Sequence, residues 1–251
     1  MTGTRSEPCN LALPLELRWD RNSPLPARWV IPEGRKHRVP QTSSGVTKPF
    51  DFSIAMRDLC VDVQERCEAL AHIKMSNVLV TFTPCRNRSR YGLQARVTPL
   101  RFRNGLLTRR HGSTEYQVQR FFVDDQEMLY LLTFCLPRFL DQSFHEKLIT
   151  VFHELYHISP AFDGDLRRHP GRYEVHSHSK VIYDSHMAEL VKDYLADHPN
   201  PEVFAFLHNN YRDLWERHGG IQGTVVPRPK LLPVGWAPLR GAARRQDNKL
   251  V

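Results

Sequence analysis

Two histidines four residues apart, His153 and His157, bracket Glu154 in the stretch VFHELYH. On a helix, residues four apart project from one face, so both imidazoles can reach one metal ion. The residue after the first histidine stands beside that face. There a carboxylate can take a proton from a water that a metal has acidified towards neutrality. The pattern is that of a hydrolytic Zn2+ site, with His153 and His157 as ligands and Glu154 as general base. Two histidines do not hold a catalytic zinc, so a third protein ligand is required, with one position left open for water.

Candidates for that ligand follow directly. Asp163 lies ten residues after His153, the spacing of the third ligand in H-E-x-x-H-x-x-G-x-x-H/D enzymes. The place where that pattern has glycine is Pro160 here, and proline cannot make the positive-φ turn. Asp163 and Asp165 also suit a turn paired with Arg167 or Arg168. The imidazole candidates are His169, His176 and His178; five of the thirteen histidines fall within 148–179. His176 and His178 point the same way on an extended chain, so that one can bind metal while the other polarises a substrate carbonyl. Glu189 reads as a solvated helix residue.

The elements that would position these residues are readable. In DQSFHEKLITVFHELYHIS, Ser143 and Glu146 form a capping box, and Phe144, Leu148, Phe152 and Leu155 share one face, predicting a helix over 142–158. Helical spacing also predicts helices at 51–73, at 184–198 with Asp184 as its cap, and at 200–220, ended by Gly219 and Gly220. Strands are expected at 77–83, at 92–102 with Pro99 marking an edge, at 115–123 and at 127–137. The order implies an α+β fold, with a mostly antiparallel or mixed sheet packed on the motif helix and further helices after the active-site loop.

Proline marks the flanks: seven of the eighteen prolines lie in 1–49 and four in 227–238. Residues 1–49 are expected to form an extended or partly disordered arm that Trp19 and Trp29 could pin to the body. Residues 50–220 would form the domain, and 221–251 a basic tail. Hydrophobic residues make up 41% and charged residues 25% of the chain, ordinary for a globular protein. No apolar run reaches the length of a membrane span, and no signal peptide is visible, so a cytoplasmic location without membrane association is expected. Five cysteines with no C-x-x-C pair read as reduced thiols, with Cys60 and Cys67 in the core.

The net charge is +8. Basic residues gather in 86–96 with Arg101, Arg103, Arg109 and Arg110, and again in the tail. Solvated loops account for such runs most simply, but nucleic acid or another polyanion is a second possible partner beside a protein or peptide substrate.

The stretch HELYHISPAFDGDLRRHPGRYEVHSHSKVIYD (153–184) resembles the metallopeptidases of phages and bacteria. The shared elements are His153 to Ile158, Asp163 to Arg167, Gly171-Arg172, His176 with Ser179, and Tyr183-Asp184. The resemblance implies a zincin-like fold and peptidase chemistry, and favours His176 as third ligand. His178, Tyr173 or Tyr183 would then help stabilise the oxyanion. The competing reading is a polyanion-binding protein whose zinc site is structural or degenerate.

Overall fold

The computed structural model describes residues 13–29, 48–85, 92–168 and 180–236, with the backbone alone at 29, 180–184 and 236. In chain order the strands and helices begin with β1 (Glu16–Trp19), β2 (Ala27–Trp29), β3 (Phe50–Asp51) and α1 (Phe52–Arg66). Then come β4 (Val78–Pro84), β5 (Ala95–Pro99), β6 (Thr108–His111), β7 (Thr114–Val118), β8 (Arg120–Val123), β9 (Gln126–Met128) and β10 (Tyr130–Leu136). The rest are α2 (Phe144–Tyr156), α3 (Lys180–Ala196), α4 (Pro201–Phe204), α5 (Tyr211–His218), β11 (Ile221–Thr224) and β12 (Leu231–Trp236). The fold is α+β, with small mixed and antiparallel sheets of three strands each.

The central sheet runs β4-β10-β5. β4 is parallel to β10, whereas β5 is antiparallel to it and forms an edge, with Val97 opposite Leu132. Side chains alternate across a strand. Val78, Val80, Phe82, Ala95, Val97, Leu132 and Phe134 therefore enter one large core with α1 and α2. Leu79 and Leu131 face the other way, into a smaller core with Phe121 and Met128.

α2 forms where the sequence places it. Ser143 Oγ accepts from the Glu146 N–H at 3.4 Å, and Glu146 Oε2 accepts from the Ser143 N–H at 2.8 Å, the reciprocal cap. Leu148, Val151, Phe152 and Leu155 are fully buried, each burial contributing about 1.5–3 kcal/mol. Lys147 is also buried, its Nζ donating to the carbonyls of Leu207 and Asn209 at 2.9 and 2.8 Å. α3 packs along α2, with Tyr194 against Phe152 and His186 against Tyr156.

Several elements depart from expectation. The first helix stops at Cys67, whose extended backbone is followed by a 3-10 turn at Glu68–Leu70. The strand expected over 115–123 divides at Gln119, because its halves pair with different sheets. Gln119 is buried and bonds Lys230 O through its N–H and Pro14 O through its amide. α3 begins at Lys180, so Asp184 lies within it instead of capping it; Lys180–Tyr183 holds no Gly or Pro to stop the helix. The helix expected over 200–220 becomes α4, a 3-10 turn and α5, since Asn210 with Asp213 builds a fresh capping box. Gly219 does end α5, at φ 68°.

The described parts of the flanks are integral to the body, not a separate arm and tail. β1 pairs with β8, β2 with β11, and β12 with β7. Trp19 meets Phe121 edge-on at 5.3 Å. These strands lie at sheet edges; only β12 contains a proline, Pro233, which an edge accommodates. The Trp29 side chain lies outside the described residues, as do 1–12, 30–47 and 237–251. Cys60, Cys67, Cys85 and Cys135 are free thiols, and all but Cys85 are buried. No helix among the described residues is long and apolar enough to cross a membrane.

Candidate metal centre

The helical spacing of His153 and His157 brings their rings to a centroid separation of 4.6 Å, nearly perpendicular, with the two Nε2 atoms 3.0 Å apart. Tetrahedral zinc with bonds of about 2.0–2.1 Å holds two nitrogens ~3.3 Å apart. The two Nε2 atoms are thus at hydrogen-bonding distance from each other, and within a few tenths of an ångström of the separation an ion would impose. His157 is buried and His153 partly so.

Glu154 is buried against β5. Its Oε2 accepts the backbone N–H of Val97 at 2.8 Å. Burial pushes the carboxyl up to about 7, opposed by that N–H and by the nearby Arg96 guanidinium. A carboxylate tuned near neutrality exchanges protons readily at working pH.

The chain after α2 is tightly organised. Ile158 bridges Leu166, and the Arg167 N–H bonds the His157 carbonyl at 2.7 Å. Positive φ falls at Phe162 (49°) and Gly164 (88°), not at Pro160. The buried Tyr130 hydroxyl fixes the loop from inside, donating to Asp165 O at 2.8 Å and accepting from the Gly164 N–H at 2.9 Å. A second clamp closes the helix end. Arg167 Nε donates to Tyr156 O at 2.7 Å, and its guanidinium lies 4.0 Å from the Tyr156 ring centroid.

Asp163 sits in this loop with its Oδ1 accepting the Asp165 N–H at 3.1 Å and its Cβ packed against Gly105. Asp165 pairs with Arg168 at 2.9 Å, one of the turn pairings the sequence allows. Glu189 is exposed and pairs with Lys192 across one turn. Among the described residues no group of three or more His, Cys, Asp and Glu stands together so as to hold an ion. His169, Tyr173, His176 and His178 lie outside the described residues. Tyr183 is on α3, but its side chain lies outside them too.

Sequence reasoning missed the Val97 N–H, Tyr130 and the Arg167 clamp on Tyr156. Each acts through a backbone group or a long-range contact, for which no local pattern exists.

Comparison of the chain with family models, with curated proteins and with solved structures finds no match to any of them.

Proposed function

We propose that this protein is a zinc-dependent peptidase of zincin-like architecture, in which His153 and His157 supply two ligands and Glu154 is the general base. The observation that supports the reading is the 3.0 Å approach of the two Nε2 atoms, on residues that flank a buried carboxylate anchored to a sheet edge. A zinc ion held there supplies an acidified water and a Lewis acid for a peptide carbonyl.

The chain's own residues do the rest. Glu154 keeps Oε2 on Val97 and takes the water's proton on Oε1, later delivering it to the leaving amine. β5 runs along the outside of its sheet, and its Val97 N–H points away from β10 to Glu154. An extended peptide laid along that edge passes its carbonyls close to the base.

His176 is the third ligand in this proposal. The loop returns the chain to the His157 backbone at Arg167, shortly before His176 in sequence. Asp163 is engaged by Asp165 and Gly105 instead. His178 and Tyr183 are assigned to the oxyanion.

The test is direct. Protein purified without chelator should carry about one zinc per chain, and hydrolysis of a casein-derived peptide mixture should disappear in Glu154→Gln. Zinc-free protein that also fails to take up zinc on reconstitution removes the reading entirely.

A further inference from the structure

We infer that a cleft between α1, α4 and α5 binds a short zwitterionic peptide, of dipeptide size, with an apolar side chain. The cleft shares no residue with the candidate metal centre, and the inference does not depend on the peptidase reading.

The cleft encloses about 440 Å³, within the ~300–1,000 Å³ usual for small-molecule sites. Its floor is apolar: Phe206 and Leu214 are buried there, and Phe50, Ala55 and Val203 line it with them. The Phe50 ring stands 5.6 Å from that of Phe206 and 5.3 Å from that of His218. Burial, with Arg217 adding to it, holds His218 below the ordinary histidine value, so it joins the floor as a neutral ring. The walls are fixed before anything binds. The Phe50 N–H donates to Gly220 O at 3.0 Å, and Lys147 Nζ donates to Asn209 O at 2.8 Å. A preformed wall spares a ligand the cost of ordering it.

Charges of both signs line the same cleft. Asp58 comes from α1, Glu202 from α4 and Arg217 from α5, and all three are exposed. Among the described residues none of these three side chains has an ion pair or a hydrogen bond. Elsewhere on the same helices charges do pair: Arg66 with Asp62 on α1, and Arg212 with Glu216 on α5. Arg217 has Asp213 one turn before it, but that carboxylate accepts the Asn210 N–H in the α5 cap. Two carboxylates and a guanidinium are thus held around one apolar floor without neutralising one another.

This arrangement selects a ligand. An inorganic anion would suit Arg217 and meet two carboxylates; a metal cation would do the reverse, and neither would cover the floor. A zwitterion with an apolar side chain uses every group: its ammonium at Asp58 and Glu202, its carboxylate on Arg217, its side chain over Phe50 and Phe206. A free amino acid carries both charges on one carbon. A dipeptide sets them on α-carbons ~3.8 Å apart, which suits anionic and cationic groups that stand on separate helices and do not pair. Its peptide carbonyl has a donor in Asn200, which also lines the cleft. Asn200 Oδ1 accepts the Glu202 N–H at 3.1 Å, and its amide NH2 has no partner among the described residues.

The experiment is isothermal titration calorimetry of the full chain carrying Glu154→Gln, so that no probe is cleaved. Leucyl-leucine is titrated beside N-acetyl-leucyl-leucine, leucyl-leucine amide and free leucine. The uncapped dipeptide should bind tightest. Arg217→Ala, and Asp58→Asn combined with Glu202→Gln, should each weaken it about three- to tenfold. Arg212→Ala, elsewhere on α5, should not. The caps assign each contact: the acetylated probe should be indifferent to the carboxylate changes, and the amide to Arg217→Ala. The capped probes also test the same contacts in an unaltered cleft, whatever the variants do to folding. No binding of leucyl-leucine at millimolar concentration, equal binding of the capped dipeptides, tighter binding of leucine, or an affinity unmoved by the cleft variants each overturns the inference. Calorimetry needs neither zinc nor turnover, so dipeptide bound here by a chain that takes up no zinc refutes the peptidase reading alone. A zinc-loaded wild type that cleaves peptides, with a cleft that ignores leucyl-leucine, refutes this inference alone.

Discussion

The Val97 backbone N–H donates to Glu154 Oε2 at 2.8 Å, tying the motif helix to the edge strand of the central sheet. The carboxylate has a structural task as well as its proposed chemical one. Two substitutions separate the tasks. In Glu154→Gln the amide oxygen still accepts the Val97 N–H, so the fold and zinc content should persist while hydrolysis is lost. In Glu154→Ala the buried N–H loses its acceptor, which should cost about 1–3 kcal/mol more in urea unfolding. Wild-type turnover by Glu154→Gln would remove Glu154 as the base.

His153→Ala and His157→Ala should each reduce bound zinc from about one ion per chain to none at micromolar total metal, because a catalytic site has only three protein ligands. Elemental analysis after gel filtration reads this. Zinc should also raise the melting temperature of the wild type and neither variant, since a ligand that binds only the folded state stabilises it. A variant that retains zinc shows that its histidine is not a ligand.

Much of this organisation is legible in the residues themselves. α2 carries its own capping box and apolar stripe, and helical spacing puts its two histidines on one face, within reach of each other. β4 and β10 announce themselves as runs of buried apolar residues. β6 does not: its sequence, TRRH, shows no alternation, and it is a strand because β7 offers it a ladder. β12, LLPVGW, looks like a linker because of its proline and glycine, yet an edge strand with an irregular register accommodates both. The Val97 bond to Glu154 spans 57 residues and involves a backbone group, so no side-chain pattern could have shown it.

Gly164 tests how tightly the post-helix loop is built. It has φ 88°, and an added Cβ would lie 2.5 Å from Arg101 Cγ. Gly112, in the β6–β7 hairpin, has φ 61° with nothing within 4 Å. Gly112→Ala should cost only the left-handed backbone penalty, about 1–2 kcal/mol. Gly164→Ala should cost roughly 1–3 kcal/mol beyond that, because Arg101 must shift. Chemical denaturation of both variants decides it; equal losses would mean that the loop yields without strain.

Lys147 gives the fold a pH dependence. Burial lowers its ammonium to about 8, with Asp141 and Asp213 partly offsetting the effect. A depressed lysine is more easily charged in the unfolded chain, so the unfolded state binds more protons across the window between about 8 and the ordinary lysine value. Its contribution to stability is complete above the unfolded value and is lost as pH falls through the folded one. The unfolding free energy of the wild type minus that of Lys147→Met should therefore rise by about 1–2 kcal/mol between pH ~7 and ~9.5. A flat difference would mean that the two carbonyl partners fully compensate the buried charge.

The third ligand is decided by comparing His176→Ala with Asp163→Ala. Removing an imidazole that binds the metal directly should release zinc and abolish hydrolysis together. Removing a carboxylate that only braces the loop should weaken zinc by no more than roughly 10- to 100-fold and leave a recognisable site. Asp163 belongs to the second kind, because its Oδ1 accepts the Asp165 N–H and its Cβ packs against Gly105. Pro160 does not make the positive-φ turn of the shorter motif; Phe162 and Gly164 make it further on, and the loop closes through Arg167 on His157. The chain therefore meets the His157 backbone again only after Asp163, at Arg167, and His176 follows later in the sequence. Competitive zinc titration of both variants against a chromogenic chelator measures the outcome. Metal-free Asp163→Ala beside normal His176→Ala would reverse the assignment and require the loop to reopen when zinc binds.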